Sequence, residues 1–378
     1  MKVAIIHDWL TGMRGGERVL ELLCRLFPDA CLFTLFHHKG SVSQVIENHP
    51  IVTSRLQKIP FSRKHYRYLL PLFPSAVESF DLTGFDLIIS TSHAVAKGAI
   101  PPRNAISVCY CHTPMRYVWD QYDVYFNACH TSSLVQTLMP LFRDYLQTWD
   151  VSTQSRVHYY IANSRFVAER IRRLYHRNSR VIPAPVDCSY YSPGTSDPED
   201  FYLMVSALAP YKRVDLAVEA FNESGRKLII IGDGTESQML RKSARSNIEF
   251  LGRLDDEAVR SYYRRCRALV FPGIEDFGLV PLEAQACGRP VIAYAGGGAL
   301  ETVIEGISGH FFFSQTSGSL NHAVETFEAM EFSSEIIRKR AFEFDARVIE
   351  TRLRDTITEI VQGRDQSVST GCRENREC

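Results

Sequence analysis

Several features that would direct a first reading are missing from this sequence. No apolar run approaches the roughly 20 residues a membrane-spanning helix needs. Met1-Lys2 leads straight into Val3-Ala4-Ile5-Ile6, with no long apolar signal region and no small-residue cleavage site, so a cytoplasmic chain is expected. Lys plus Arg equals Asp plus Glu at 43 each. With no basic excess, nucleic acid is not an expected partner, and any anion must be recognised locally. The ten cysteines contain no C-x-x-C pair, which argues for free thiols in a reducing compartment rather than a disulfide framework. Cys109, Cys111 and His112 form a fragment of a zinc pattern, but no second ligand pair accompanies them.

What is present is alternation. A length of 378 residues suits two domains of roughly 150–200 residues. In the first half, Lys2–His7, Leu87–Ser90, Ile106–Cys111 and Val157–Ala162 read as buried strands, and Glu17–Phe27 and Phe166–Leu174 as amphipathic helices. Residues 180–200 are rich in proline and polar groups and interrupt the pattern. A second series then runs from Tyr202–Ser206 to Val291–Ala293. The expected class is α/β: two Rossmann-like domains facing across a cleft, with parallel sheets covered by helices on both faces. The boundaries read as 1–182 for the first domain and 183–345 for the second. A helix over 346–365 is expected to pack back toward the first domain, and 366–378 to form a tail. In such folds ligands sit beyond the carboxyl ends of the strands, so the loops after strands carry the candidate chemistry.

The segment Phe271-Pro272-Gly273-Ile274-Glu275-Asp276-Phe277-Gly278-Leu279-Val280-Pro281-Leu282-Glu283-Ala284 passes from a strand end into a helix start. The amides of Gly278, Leu279 and Val280 would face whatever occupies the strand end, a ready site for a diphosphate. Glu275 precedes the helix and Glu283 lies about one turn inside it, so one carboxylate can reach a sugar hydroxyl and the other a ribose diol. Lys212 and Arg213 follow another strand and open a helix, where they could neutralise a leaving diphosphate. Gly15-Gly16 after the first strand allows close backbone approach to a phosphate, though a glycine pair at a β–α turn also fits a purely structural role. His112 ends the third strand, at the cleft edge. Arg116 and Asp120 follow as weaker candidates for the acceptor side.

The two glutamates eight positions apart around F-G-L-V-P-L-E-A resemble the signature of family 4 of the retaining glycosyltransferases, which have the GT-B fold. His7 to Arg18 resembles that family's N-terminal glycine loop, and Val205 to Arg213 its basic loop. Gly288 to Ala293 with Gly296-Gly297-Gly298 is similar to its usual continuation. His112-Thr113-Pro114-Met115-Arg116-Tyr117 is similar to a marker of bacterial mannosyltransferase-like members of surface-polysaccharide (O-antigen or exopolysaccharide) assembly. The resemblance implies a hexose, best read as mannose from GDP-mannose, moved from a nucleotide diphosphate sugar to a saccharide acceptor, lipid-linked in many members. It implies His112 and Glu275 as catalytic residues. Gly15, Gly16, Lys212, Arg213, Phe277, Gly278, Leu279, Val280 and Glu283 would bind the donor. Front-face substitution with retention is implied in the same way. No D-x-D occurs, so no metal ion and no other cofactor are expected. One departure stands out: a common family pattern has arginine where this chain has Ala207, leaving Arg213 as the candidate second cation.

Other readings stay open on the residues alone. A nucleotide-sugar epimerase and a non-catalytic nucleotide-sugar-binding protein share this fold. A nicotinamide dehydrogenase is less well served, because Gly232-Asp233-Gly234-Thr235-Glu236-Ser237 lacks the third glycine of its fingerprint. Finally, Arg55, Lys58, Arg63, Lys64 and Arg67 interleave with Leu56, Ile59, Phe61, Tyr66, Tyr68, Leu69 and Leu70. That pattern suits peripheral binding to an anionic membrane surface, on the inner face of the cell membrane, and equally suits a solvated surface helix.

Overall fold

The computed structural model describes residues 1–60, 66–122 and 133–371, with side chains described at all of these except 67, 133–138 and 364–371. Two parallel sheets form. The first contains β1 (Val3–His7), β2 (Cys31–Thr34), β3 (Ile51–Thr53), β4 (Leu87–Ser92), β5 (Ile106–Cys111), β6 (Tyr159–Ala162) and β7 (Ser179–Val181), in the order β3-β2-β1-β4-β5-β6-β7. The second contains β8 (Tyr202–Val205), β9 (Leu228–Ile231), β10 (Ile248–Gly252), β11 (Leu269–Phe271), β12 (Val291–Tyr294) and β13 (Gly309–Phe312), in the order β10-β9-β8-β11-β12-β13. Every residue of β1, β4 and β5 is buried, as expected for strands covered on both faces.

The helices that position the site are α1 (Gly15–Leu26), α2 (Ser133–Ser152), α3 (Arg165–Tyr175), α4 (Val214–Ser224), α5 (Asp256–Arg265), α6 (Leu279–Ala286) and α7 (Ala346–Gly371). Apolar residues recur on one face of α1, where Val19, Leu20, Leu22 and Leu23 are buried while Arg18 and Arg25 are exposed. The α/β architecture is the one read from the alternation. Strands β2, β3, β7 and β13 are absent from that reading. Helix α7 runs on to Gly371, past residue 365 and into the segment expected to be tail. Its side chains Ile349, Leu353, Ile357 and Ile360 are buried in the same apolar cluster as Val19, Leu20 and Leu23 of α1. Arg180 of β7 donates to Glu359 at 2.5 Å. Where the chain enters and leaves the second half, the two passes lie side by side: Val186 N donates to Phe344 O and Ala346 N to Val186 O, both at 2.9 Å.

In each sheet the order reverses at one place, between β1 and β4 and between β8 and β11. The crevice at such a reversal is where open α/β sheets bind ligands. The loops after β1, β4, β5, β8 and β11 carry the residues considered next. Among the described residues, no helix is long and apolar enough to cross a membrane.

Candidate active site

On the first-domain side, Asp8 directly follows β1 and is buried. Its carboxylate accepts the four consecutive amides of His93, Ala94, Val95 and Ala96 at 2.7, 2.9, 2.7 and 2.8 Å, and His93 Nδ1 lies 3.1 Å away. One carboxylate therefore sets the whole turn after β4. Lys97, next along, is also buried; its Nζ donates to Asp150 O at 2.6 Å and Thr153 Oγ1 at 2.9 Å and pairs with the Asp150 carboxylate. His7 is fixed by a 2.5 Å bond between Nδ1 and Thr91 Oγ1, and Glu17 of α1 stands 3.7 Å from its Nε2. Burial pushes the Glu17 carboxyl up, but His7, the backbone and His93 together outweigh it and leave Glu17 below the usual carboxylate value.

His112 is held by its backbone, which donates to Ser92 O at 2.8 Å, and its Nε2 has no hydrogen-bond partner among the described residues. Burial, reinforced by the neighbouring His93 and His7, keeps the imidazole well below its usual pKa, so it is neutral near pH 7. A Cβ at Gly16 would lie 3.5 Å from that Nε2 and 3.6 Å from His7 Cε1. With no side chain at position 16, that nitrogen, although buried, is met there only by glycine backbone.

On the second-domain side, Gly278 takes φ +97° and caps α6, a conformation that favours glycine. The amides of Gly278, Leu279 and Val280 have no acceptor within the helix. Glu275 forms an ion pair with Lys212 Nζ, both groups half-buried. The two loops can meet because Gly273 has no side chain: a Cβ there would be 2.9 Å from Tyr211 O and 3.0 Å from Lys212 Cα. The glycine run clamps the other side, with Gly298 N donating to Glu275 O at 2.8 Å. Arg213 caps α4 in the left-handed region at φ 54°, and its guanidinium bonds Asp215 at 3.2 Å. Ala207 is exposed in the loop before it.

Glu283 accepts the Tyr263 hydroxyl at 2.8 Å. Burial raises its pKa against the opposing pull of Tyr263 and Arg18. It lines a cavity of about 200 Å³ with Arg18, Tyr191, Asp256 and Leu279. One expectation is corrected. The Phe277 ring is not at the cleft but buried against Phe344, with ring centroids 5.8 Å apart, because a large apolar side chain at this turn gains more from the core. Only the Phe277 backbone remains beside the donor loop.

The two sides meet. A Cβ on Gly15 would come within 2.9 Å of Leu279 Cδ1, so the first turns of α1 and α6 face each other. Arg18 reaches Asp256 at 2.8 Å. Arg116 pairs with Asp276 at 3.2 Å and lies 4.8 Å over the Tyr211 ring. The loops that bear Gly15, Gly16 and His112 thus meet those that bear Lys212, Glu275 and the start of α6, with Glu283 a turn further along that helix. Asp120 is drawn off to Arg170 and Arg173 of α3 at 2.7 and 2.6 Å. Sequence reasoning missed His7, Asp8, Glu17 and His93; the rule that singled out His112, first residues past a buried strand, would also have flagged Asp8 and His93. Among the described residues, no group of three or more His, Cys, Asp or Glu is placed to hold a metal ion. The described cysteines are free thiols, Cys109 and Cys111 being buried within β5.

The basic and apolar stretch from Arg55 to Leu70 is not one helix. It holds 3-10 turns over Arg55–Lys58 and Tyr66–Leu72. Arg55, Lys58 and Ile59 are exposed, whereas Leu56, Tyr66 and Leu70 face the first-domain core and are not available to insert into a bilayer. Arg63 and Lys64 lie outside the described residues, as does the side chain of Arg67.

Two facing Rossmann-like halves, with candidate site residues contributed by both, define a GT-B architecture. Residues 13–190 match the model for Glycosyltransferase Family 4, and residues 192–344 the model for Glycosyl transferases group 1. Together these models take in nearly all of both sheets, and the chain belongs to the family 4 glycosyltransferases. It is 29% identical over 184 residues to a GDP-mannose-dependent monoacylated alpha-(1-6)-phosphatidylinositol monomannoside mannosyltransferase of Corynebacterium glutamicum, covering 40% of this chain and 48% of that one. It is 32% identical over 102 residues to O-antigen chain mannosyltransferase C of Escherichia coli, covering 25% and 28%. The chain spans about a quarter to a half of the length of the curated relatives it matches. The fold is similar to that of HepE of Anabaena, solved in complex with UDP and glucose, with a TM-score of 0.70 at 19% identity over 95% of this chain and 99% of that one.

Proposed function

We propose that this chain is a retaining hexosyltransferase, moving mannose from GDP-mannose to a lipid-linked saccharide during surface-polysaccharide assembly, at the inner face of the cell membrane and without a metal ion. The observation that carries the reading is the Lys212–Glu275 pair before the amino end of α6, on a loop whose Asp276 bonds Thr113, the neighbour of His112 with its unpartnered Nε2. The two mannosyltransferase relatives support the choice of sugar, and their names support a lipid or polysaccharide acceptor.

In this reading the diphosphate lies against the Gly278, Leu279 and Val280 amides and the glycine loop, with Lys212 and Arg213 neutralising the charge that grows on the leaving phosphate. Glu275 holds a sugar hydroxyl and Glu283 the ribose diol. Neutral His112 bonds the sugar near the reacting carbon. A protonated ring there would repel the positive charge that develops on the sugar, so burial of this histidine serves the chemistry. The bond from the anomeric carbon to the phosphate oxygen breaks and its electron pair leaves with the phosphate. The acceptor oxygen bonds the same face of that carbon, and its proton passes to a phosphate oxygen. Glycosylated acceptor and nucleoside diphosphate result, with the anomeric configuration retained.

The test is a panel of GDP- and UDP-sugars with lipid-linked and soluble acceptors, following nucleotide release and the anomeric proton of the product. Release only with acceptor present, and its loss in Glu275→Ala, is expected. Conversion of the donor sugar to an epimer without acceptor would favour an epimerase, and no turnover with any pair a binding protein.

A further inference from the structure

Asp276 sits one residue beyond Glu275, in the loop from β11 to α6, yet its carboxylate bonds to the other half of the molecule. Thr113 Oγ1 lies 3.3 Å from Oδ1, Arg170 Nη1 2.7 Å from Oδ1, and Arg116 Nη1 3.2 Å from Oδ2. Its backbone carbonyl accepts the Ser164 hydroxyl at 2.6 Å. The side chains of Asp276 and Arg170 are 14% and 6% exposed, so the pair sits largely out of water. Burying a charge pair costs desolvation that only good geometry and further hydrogen bonds offset. Here those bonds cross the cleft.

What they tie together matters more than their strength. Thr113 directly follows His112. Arg116 lies over Tyr211, whose next residue is Lys212. Asp276 is bonded to its own neighbour Glu275 through the chain. A single carboxylate thus links the three loops that bear His112, Lys212 and Glu275. One face of each sheet is packed by side chains of its own half, the other faces share one apolar cluster, and Asp276 belongs to none of these. A purely structural ion pair would have no reason to join these loops.

We propose that Asp276 is a positioning residue that sets the closed arrangement of the cleft in which Glu275 and Lys212 meet the donor opposite His112. This rests on the transferase reading. In Asp276→Asn the charge is lost while the shape is kept. Donor KM and the Kd for GDP and UDP should stay within about threefold, since the nucleotide is held by α6 and Glu283. The kcat should fall about 100-fold, the penalty for reacting groups misplaced by about an ångström. Small-angle scattering with saturating GDP or UDP should give a larger radius of gyration than wild type. Arg170→Gln combined with Asp276→Asn should cost no more than Asp276→Asn alone, as expected for groups of one network. If Asp276→Asn does not fold, Arg116→Gln and Thr113→Val, each removing one donor, carry the same measurements. A kcat within threefold of wild type, or an unchanged radius of gyration, overturns the proposal. Absence of transfer by the wild type with every donor would instead sink the transferase reading, while scattering would still report whether Asp276 closes the cleft.

Discussion

Alanine at Gly16 would place one methyl group over the edge of His112. Gly16 is the second residue of α1 and has an ordinary negative φ, unlike the glycines at 12 and 278. The added Cβ would meet His112 Nε2 at 3.5 Å, His7 Cε1 at 3.6 Å and His112 Cδ2 at 3.8 Å, all ordinary van der Waals separations. Nothing in the folded protein resists the change. Alanine is preferred to glycine by up to about 1 kcal/mol inside a helix and by less in a first turn, so stability should hold or rise. At about 2–4 °C per kcal/mol for a domain of this size, the melting temperature should move up by no more than about 3 °C. The donor, however, would lose its closest approach to the backbone and to His112 Nε2. A displacement of about 1 Å costs roughly 100-fold in rate, equivalent to about 2.7 kcal/mol of transition-state stabilisation. Thermal melts and initial rates with saturating acceptor, run side by side, provide the assay. Turnover within threefold of wild type would refute the idea that Gly16 is a glycine for the sake of the ligand. A fall of several degrees in melting temperature would refute the packing argument.

The Lys212→Ala variant should lose two to three orders of magnitude in kcat, the range seen when a preorganised charge on a leaving group is removed, while excess chelator leaves wild-type rates unchanged; strict dependence on magnesium would overturn both statements. Vesicle sedimentation tests the membrane expectation. Each Lys or Arg near an anionic leaflet contributes about 1 kcal/mol, and Arg55 and Lys58 are exposed. Binding to anionic but not neutral vesicles, weakened by salt and by changing Arg63, Lys64 and Arg67 to Glu, is expected; equal, negligible sedimentation throughout would leave a soluble acceptor.

Much of this molecule is legible in the order of its residues. Short apolar runs bounded by turn residues, such as Val3–Ile6, read as buried strands, and their alternation with amphipathic segments points to parallel sheets. Glu275, Gly278 and Glu283 lie within nine positions, so a strand end, a cap and one helical turn are enough to nominate them together as candidates. These signals are local, and local geometry is repeated in every copy of the motif. Tertiary structure decided the rest. Asp8 reaches amides 85 to 88 residues away, and Asp276 reaches Arg170 across 106. An aspartate beside a glutamate carries no mark of which half of the protein it will face. Phe277 looks like part of the donor loop until packing turns its ring inward. Leu56, Tyr66 and Leu70 look like a membrane face until the first-domain core claims them. In each case the partner is chosen by how two loops or layers meet, and that depends on the whole chain at once, not on the few residues a pattern can span.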